Sequence, residues 1–384
     1  MPTGRVVFML PGPLDSLSGG YAYDRRIVAG LRALGWAVDW LVLPASFPWP
    51  DAADLDQAAA QVAALPDDTL VIADGLAFGA MPAIAQHHAR RLRWVALVHH
   101  PLALETGLDA ARRDQLLESE QQALATARGV IVTSAATARG LAAFGVPAGR
   151  VHVVMPGTDA AALAVGSGGH ALTLLCVATL TPRKGHAVLI EALAGLQDRP
   201  WTLHCVGSTS RDAATTQALR ASIAARGLGA RVQLHGEVAA AALERLYAQA
   251  DAFVLPSYFE GYGMALAEAL AHGLPVVSTT AGAIPDTVPA GAGVLLPPGD
   301  AAALRQALAR LMDDAPWRAT LAAGARAART QLPTWPQAVS QFAAALAAVD
   351  SRLQEPPGRP VGSSAPQGGE LPRGGPSSNQ KASS

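Results

Sequence analysis

The amino-acid sequence predicts a protein of the α/β class with two domains, each built around a parallel β-sheet. Short apolar segments of strand length alternate with helical patterns along most of the chain, which is typical of parallel strands covered by helices on both faces. The 384 residues suffice for two such domains. A run of small residues at 165–170 suits a linker between them. We therefore expect domains at 1–165 and 170–334, followed by a helix at 335–349.

Composition limits where the chain works and what it binds. Half of the residues are hydrophobic, 15% are charged and the formal net charge is −1, so we expect no nucleic-acid partner. Cys176 and Cys205 lie in apolar segments, which indicates reduced core thiols and a cytoplasmic protein. No apolar segment has the length of a signal peptide or a membrane span. Peripheral contact with the inner face of a membrane stays open, and the Pro-, Gly- and Ser-rich residues 350–384 are expected to be disordered.

The first domain is expected to contain six strands. Apolar segments suited to buried parallel strands lie at 5–10, 38–43, 70–73, 94–98, 130–133 and 151–155. The loop after the first of them contains Gly19 and Gly20, ahead of a helix that begins near Ala22. A phosphate or a sugar can approach the backbone at such a loop. The loop lacks the G-x-G-x-x-G pattern, which disfavours an NAD-dependent dehydrogenase.

Two histidines, His99 and His100, directly follow the fourth strand. The carboxyl ends of parallel strands form the edge where open α/β sheets bind ligands. An imidazole at this edge can donate or accept a hydrogen bond near neutral pH. A single histidine there would more often be structural, whereas a pair favours a role in binding or catalysis.

The second domain is expected to begin with a strand that leads into a basic turn. Arg183 and Lys184 lie between this strand and the following helix. Cations at a helix N-terminus oppose the helix dipole and therefore need an anion, and here they suit a leaving diphosphate. The alternative is a basic helix start without a ligand. The predicted strands lie at 172–177, 201–206, 232–235, 252–256 and 276–279, and the helices lie at 187–196 and 264–271 and begin again near 301 and 316.

The stretch from Glu260 to Glu268 organises the second domain. Glu260 follows the buried strand at 252–256, and Gly261 and Gly263 let the backbone approach a ligand because neither has a Cβ. The helix that follows offers free N–H groups and the positive end of its dipole to a phosphate. Glu268, about one turn into that helix, can reach a polar group beside the phosphate. Two carboxylates that flank an anion site suit a nucleotide sugar, and the alternative is a solvated helix start.

The Glu-x7-Glu spacing, its glycines and the preceding Pro256-Ser257 resemble the retaining glycosyltransferases of family 4. Such enzymes have the GT-B fold, in which two Rossmann-like domains face each other across a cleft. The resemblance covers roughly residues 1–349 and implies that 335–349 packs back on the first domain. It also implies that Glu260 contacts the donor sugar and that Glu268 holds the ribose. The implied donor-binding residues are Gly19, Gly20, Thr179, Gly261, Tyr262, Gly263, Met264 and Glu268.

The same resemblance assigns further positions. Lys184 matches a lysine that the family places at the diphosphate, but Thr179 stands where the family has an arginine, and we infer that Arg183 supplies the missing charge. His99 is the better match to a histidine that the family places near the donor sugar. The implied catalytic residues are His99, Lys184, Arg183 and Glu260, the nucleobase candidates are Gly236, Glu237 and Val238, and the acceptor candidates are His100 and Glu105.

These features predict an enzyme that transfers a sugar from a nucleoside diphosphate sugar, of the UDP or GDP type, to an acceptor hydroxyl. The acceptor is expected to be a glycan, a lipid-linked molecule or a small metabolite. The resemblance implies retention of anomeric configuration without an enzymic nucleophile. The predicted site carries no Asp-x-Asp motif, so no metal and no cofactor are expected. Two alternatives remain open, namely a nucleotide-sugar epimerase of the same fold and a non-catalytic binding protein.

Overall fold

A computed structural model describes residues 4–351 as two six-stranded sheets with helices on their faces. The tail predicted at 350–384 lies outside these residues, apart from two positions that continue the last helix. The strands are β1 (Arg5–Pro11), β2 (Ala37–Leu43), β3 (Leu70–Asp74), β4 (Arg93–Val98), β5 (Gly129–Val132), β6 (Val151–Val153), β7 (Leu172–Val177), β8 (Trp201–Val206), β9 (Val232–Gly236), β10 (Ala252–Leu255), β11 (Val276–Thr279) and β12 (Gly293–Leu296).

Helices connect most of the strands. None of the helices within residues 4–351 combines the length and the apolar character that a membrane span requires. The α-helices are α1 (Gly19–Ala33), α2 (Ala52–Ala63), α3 (Gly75–Phe78), α4 (Pro82–His88), α5 (Ala110–Thr126), α6 (Ala135–Gly140), α7 (His186–Ala194), α8 (Ala213–Ala225), α9 (Ala240–Gln249), α10 (Met264–Ala271), α11 (Ile284–Thr287), α12 (Ala301–Asp313), α13 (Ala315–Ala328) and α14 (Trp335–Ser351). Short 3-10 helices lie at Leu102–Leu104, Leu141–Phe144, Ala148–Arg150, Pro182–Lys184 and Arg329–Gln331.

Both sheets are parallel throughout. The first has the strand order β2-β1-β3-β4-β5-β6 and the second has the order β12-β11-β10-β7-β8-β9. Every residue of β3 and of β10 is buried, because helices cover both faces of each sheet. This burial explains why the strands appear in the sequence as continuous apolar runs. The predicted α/β class is confirmed.

The last helix belongs to the core of the first sheet. Phe342 and Leu346 of α14 are fully buried in one apolar cluster with Phe8 of β1. The side chain of Val339 lies so close to Gly30 of α1 that a Cβ at Gly30 would come within 2.2 Å of it. The chain therefore crosses from the second sheet back to the first before it ends.

The start of α1 differs from the prediction. The helix begins at Gly19, about one turn before the expected Ala22. Ser18 adopts an extended conformation and its hydroxyl accepts the N–H of Tyr21, which caps the helix. Gly19 and Gly20 are therefore the first helical residues and not loop residues.

Strand β12 and several helices, among them α2, α8 and α9, have no counterpart in the sequence prediction. Helix α2 begins with a capping box in which Asp51 accepts the N–H of Asp54 and Asp54 accepts that of Asp51. This helix contains Asp54-Leu55-Asp56, an Asp-x-Asp sequence that lies outside the predicted site. Strand β12 is short, with four residues, and only half-buried.

Candidate active site

The carboxyl edges of the two sheets meet at the end of β4 and at the turn after β10. Gly261 packs directly on the backbone of His99, since a Cβ at Gly261 would lie 1.9 Å from the carbonyl oxygen of His99. The hydroxyl of Thr137 donates to the carbonyl of Gly261 at 3.4 Å. The predicted donor turn of the second domain therefore lies against the predicted acceptor edge of the first.

Lys184 and Glu260 form the centre of this contact region. The Nζ of Lys184 donates to both carboxylate oxygens of Glu260, at 2.6 and 2.9 Å, and Ser257 donates its hydroxyl to one of them at 2.6 Å. Burial raises the pKa of Glu260, but the charges of Lys184 and Arg183 outweigh it, so the net shift is downward. Burial is the largest effect on Lys184 and lowers its pKa against the opposing attraction of Glu260. Glu260 is therefore an ionised, almost fully buried carboxylate.

Arg183 links the two domains. Its Nε lies 3.1 Å from a carboxylate oxygen of Glu105 in the first domain. Its Nη1 donates to the carbonyl of Phe259 at 2.8 Å and lies 3.8 Å from Glu260. The 3-10 turn Pro182–Lys184 thus directs two cations at the same carboxylate, Glu260.

His100 and His99 lie in opposite electrostatic surroundings. The ring of His100 packs against Phe259 with a centroid distance of 4.5 Å, and neither ring nitrogen has a hydrogen-bond partner among the described residues. Burial, and then the charge of Arg183, lower the pKa of His100 to about 3. His100 is therefore a neutral ring that fills the contact between the domains, with its Nε2 3.7 Å from Glu105.

His99 is held by carboxylates. Its Nε2 lies 3.0 Å from Oδ1 of Asp24 and 3.6 Å from Oδ2 of Asp74, and the ring packs edge-on against Tyr23 with a centroid distance of 5.3 Å. Burial lowers the pKa of His99, but the charge and hydrogen bond of Asp24, together with the charge of Asp74, outweigh it and raise the pKa. His99 is the imidazole of this pair that carries positive charge most readily.

The first two glycines of α1 face this group. A Cβ at Gly20 would lie 3.4 Å from Cδ2 of His99, and a Cβ at Gly19 would lie 3.6 Å from the sulfur of Met264. Met264 opens α10 in the second domain, and its side chain packs against the core cluster of the first domain. The structure therefore brings Gly19 and Gly20 to the same contact region as Met264 and His99.

The start of α10 has the geometry expected of an anion site. Gly263 precedes the helix with φ +90°, a backbone conformation that favours glycine. The first N–H groups of α10 have no partner within the helix. Tyr262, just before, is buried, and its hydroxyl is hydrogen-bonded to Thr158, while its carbonyl accepts the hydroxyl of Thr287.

Glu268 lies one turn into α10 and is oriented by a neighbouring tyrosine. The hydroxyl of Tyr247 donates to Oε2 of Glu268 at 3.0 Å. Burial raises the pKa of Glu268, and the hydrogen bond from Tyr247 opposes this shift. Tyr247 itself stacks on His272 with a centroid distance of 4.5 Å and an interplanar angle of 8°. Glu268 thus has one carboxylate oxygen engaged with the protein.

The remaining predicted residues form a second group along β7, β8 and β9. A Cβ at Gly207 would lie 2.8 Å from the backbone nitrogen of Thr179, and the N–H of Gly207 donates to the carbonyl of Gly236 at 2.9 Å. Glu237 is exposed, and Val238 packs against the core of the second sheet. Thr179 and the nucleobase candidates thus share one sheet edge, beside the group around Glu260.

Several side chains of the site have no counterpart among the predicted residues, among them Asp24, Asp74 and Tyr247. Asp74 ends strand β3, so its position at a strand end was a usable signal. Asp24 lies on the face of α1 that carries Gly20, four positions earlier, and Tyr247 lies near the end of α9. Nothing in the local sequence pattern marks these last two.

Two family models match the chain, one in each half. The model described as "Glycosyltransferase Family 4" matches residues 36–162, and the model described as "Glycosyl transferases group 1" matches residues 171–314. The two matches fall on the two parallel sheets, with the linker between them.

Curated relatives include several D-inositol 3-phosphate glycosyltransferases. That of Geodermatophilus obscurus is 31% identical over 296 residues, which cover 68% of this chain and 64% of the relative. That of Corynebacterium efficiens is 33% identical over 184 residues, which cover 43% of each chain. An MMP alpha-(1->4)-mannosyltransferase of Mycolicibacterium hassiacum is 27% identical over 266 residues, which cover 65% of this chain and 64% of the relative. The matched part of the chain thus spans 43% to 64% of the length of these relatives.

Solved structures share the fold. Sucrose-phosphate synthase from Thermosynechococcus elongatus matches with a TM-score of 0.78 at 22% identity, covering 91% of this chain and 100% of that chain. HepE of Anabaena in complex with UDP-glucose matches with a TM-score of 0.71 at 20% identity, covering 90% of this chain and 99% of that chain. These neighbours confirm the predicted fold of two facing Rossmann-like domains.

Proposed function

Since this chain belongs to the glycosyltransferases of family 4, we propose that it transfers a sugar from a nucleoside diphosphate sugar to an acceptor hydroxyl with retention at the anomeric carbon. One observation carries the proposal. The cations of Lys184 and Arg183 converge on Glu260 directly before a helix N-terminus. Half-buried cations beside free N–H groups suit the two negative phosphates of a nucleoside diphosphate.

The donor is proposed to be of the UDP type, with GDP as the alternative that binding measurements would reveal. Complexes of Anabaena HepE with UDP and with UDP-glucose, in a chain of the same fold, support this choice. In this chain, Glu268 is proposed to accept hydrogen bonds from the ribose through its other carboxylate oxygen, since Tyr247 donates to Oε2. The edge formed by Thr179 and Gly236 is the proposed side for the base.

The bond changes follow from where the charges lie. The bond between the anomeric carbon and the diphosphate breaks, and Lys184 and Arg183 take up the negative charge of the departing phosphate. The acceptor oxygen bonds to the anomeric carbon on the same face, and its proton passes to an oxygen of the departing phosphate. Glu260 aligns the donor sugar by accepting hydrogen bonds from the hydroxyl groups of the sugar. We propose that the two cations make a metal unnecessary for this charge relief.

The acceptor is proposed to bind on the first domain, where His99, His100 and Glu105 lie along one loop. This edge faces the donor turn, so a hydroxyl held there would meet the sugar. The acceptor classes are a glycan, a lipid-linked molecule or a small metabolite. We propose that the chain works in the cytoplasm, where a lipid-linked acceptor would be met at the inner face of the membrane.

Calorimetry and thermal shift with UDP, GDP, ADP and their sugars test the donor site. The Glu268→Ala variant should bind the preferred nucleotide roughly 10- to 100-fold more weakly, since charged hydrogen bonds contribute roughly 1.5–3 kcal/mol. Glu191→Ala, a change at an exposed position of α7, is the matched control and should bind like the wild type. Equal binding by Glu268→Ala and the wild type would contradict the assignment of Glu268.

Product analysis tests the reaction class. Incubation of the bound sugar nucleotide with a panel of acceptors should give a glycoside with the anomeric configuration of the donor. Conversion of the sugar nucleotide without any acceptor would instead assign an epimerase. Tight binding without turnover across the panel would favour a binding protein.

A further inference from the structure

We propose that Asp24 and Asp74 are positioning residues that hold Nε2–H of His99, so that Nδ1 is the nitrogen that meets an oxygen of the substrate. The proposal rests on the proposed function, because it names how this imidazole takes part in the same site. It concerns residues from three separate segments, namely α1, the end of β3 and the end of β4.

Helix α1 fixes the ring of His99 through one face. Gly20, Tyr23 and Asp24 stand at positions i, i+3 and i+4, which lie together on an α-helix. A Cβ at Gly20 would meet the ring at 3.4 Å, Tyr23 packs on it edge-on, and Asp24 accepts its hydrogen bond at 3.0 Å. Two contacts from one helix, an edge-on aromatic contact and a hydrogen bond, therefore orient the ring, and the missing side chain of Gly20 leaves room for it.

The geometry selects Nε2 as the protonated nitrogen. Ionised carboxylates accept hydrogen bonds and do not donate them. Nε2 lies 3.0 Å from Oδ1 of Asp24, and we assign the proton of this hydrogen bond to Nε2. Oδ2 of Asp74, a carboxyl whose pKa burial raises to about 7, lies farther from Nε2, at 3.6 Å. Nδ1 has no hydrogen-bond partner among residues 4–351, and 21% of the side chain is exposed.

The two carboxylates differ in how they are held. Asp74 accepts the N–H of Leu76 through Oδ1 at 2.8 Å, so one of its oxygens is committed to the backbone. Asp24 is almost fully buried, and its Oδ2 has no partner among the described residues. An uncompensated buried carboxylate is costly, and a positive charge on His99 offsets this cost. The titratable groups that face His99 are Asp24 and Tyr23 from α1 and Asp74 from β3, with Tyr21 beside Asp74.

A charged imidazole fixed in this way has a defined use. It donates Nδ1–H to an oxygen of the substrate, namely a sugar hydroxyl or a phosphate oxygen. Asp24 and Asp74 act through His99 and do not themselves touch the substrate. The protonation state of His99 is therefore set by the fold before any ligand binds, and it can be measured on the free protein.

Nitrogen-15 NMR of protein labelled at histidine tests this arrangement. The chain has 10 histidines, and the signal of His99 is identified by its loss in His99→Gln. In the free wild type, Nε2 should stay protonated across the titration, Nδ1 should titrate, and the midpoint should lie above the ordinary value of about 6.5. A wild-type spectrum with Nδ1 protonated and Nε2 free would overturn the proposal without any variant.

Variants give the second arm of the test. In Asp24→Asn, the titration midpoint of His99 should fall by at least about one unit, a tenfold loss of proton affinity. In Asp74→Asn it should fall less, because the distance to Nε2 is longer. Asp114→Asn, at an exposed position of α5, is the matched control and should leave the midpoint unchanged. An identical midpoint in Asp24→Asn and the wild type would refute the positioning role.

Enzyme kinetics and metal titration give two further tests of the role of Asp24. The Asp24→Asn enzyme should lose turnover most strongly at the alkaline end of the pH–rate profile, with little change in the nucleotide Kd, whereas general destabilisation would lower activity equally at every pH.

The ligand atoms of Asp24, Asp74 and His99 lie within 4.8 Å of one another, so Zn²⁺ and Mn²⁺ are added to the labelled protein. A stoichiometric shift of the His99 signals that Asp24→Asn abolishes would assign a cation site instead and overturn the proposal. If the proposed transferase function fails, no nucleotide binds, yet the titration of His99 still gives its answer.

Discussion

Lys184 donates through Nζ to both carboxylate oxygens of Glu260, at 2.6 and 2.9 Å, across a sequence separation of 76 residues. The pair joins the turn after β7 to the turn after β10, at the edge where the donor is proposed to bind. A diphosphate that binds there must therefore compete with Glu260 for the ammonium group of Lys184. The pair couples the charge of the site to the stability of the second domain.

Replacement of Lys184 should separate these two effects. Lys184→Met leaves Glu260 buried beside Ser257 and a more distant Arg183, so both stability and turnover should fall, the latter by roughly 10- to 100-fold. The double variant Lys184→Met/Glu260→Gln should recover stability, because no unpaired charge is buried, but not turnover. Urea unfolding and initial rates measure the two quantities. Recovery of turnover in the double variant would show that Lys184 does not serve the diphosphate.

Removal of the charge of Glu105 should strengthen nucleotide binding. Glu105 pairs with Arg183 at 3.1 Å and competes with any phosphate for that cation. Glu105→Gln should lower the Kd for the nucleoside diphosphate by roughly three- to tenfold, and more at low salt. Calorimetry at two salt concentrations measures the change, with Glu191→Gln as the exposed control. Weaker binding by Glu105→Gln would mean that Glu105 supports the donor site and does not oppose it.

The contrast between predicted and observed site residues has a physical cause. Glu260, Gly263 and Lys184 stand at strand ends and helix starts, where a local pattern of apolar run, glycine and charge marks them. Asp24 and Asp74 gain their meaning only from the ring of His99, which reaches them from another segment. No local pattern encodes such a tertiary contact.

The elements of the fold were likewise predictable only where a local sequence pattern marks them. Parallel strands buried on both faces, such as β3 and β10, give continuous apolar runs that a sequence shows directly. Helix α2 is rich in alanine and buries only Ala58 and Val62, and β12 is a half-buried edge strand of four residues. The start of α1 depends on the hydroxyl of Ser18, a cap that the glycines after it obscured.

A methyl group at Gly261 should hold the two domains apart. A Cβ there would lie 1.9 Å from the carbonyl oxygen of His99, so one backbone must move away from the other, and we expect the two domains to separate. Gly261→Ala should raise the radius of gyration measured by X-ray scattering and reduce turnover. Gly229→Ala, where a Cβ meets no atom within 4 Å, is the control. An unchanged scattering profile for Gly261→Ala would argue that the turn can shift within one domain.

The stability of the first domain should depend on pH through Glu120. This carboxyl of α5 accepts the N–H groups of Leu102 and Ala103 at 2.7 and 2.9 Å and so anchors the loop that carries Glu105. Burial raises its pKa from the ordinary 4.5 to about 7, against the lowering effect of the two hydrogen bonds. A pKa raised by folding means that the folded state binds the proton more tightly than the unfolded state.

The sign of the pH effect follows from this difference. The contribution of Glu120 is fully present below about pH 4.5 and is lost as the pH rises through about 7, at up to roughly 1.4 kcal/mol per pH unit. Glu120→Gln cannot titrate, so its unfolding free energy should fall less steeply between pH 5 and 7.5 than that of the wild type, and the two curves should approach each other as the pH rises. Asp74, whose burial raises its pKa to about 7, keeps part of the dependence in both proteins. Urea unfolding at a series of pH values measures these slopes. Glu118→Gln, at an exposed position of the same helix, is the control. Parallel curves for Glu120→Gln and the wild type would show that Glu120 has the same pKa in the folded and unfolded states.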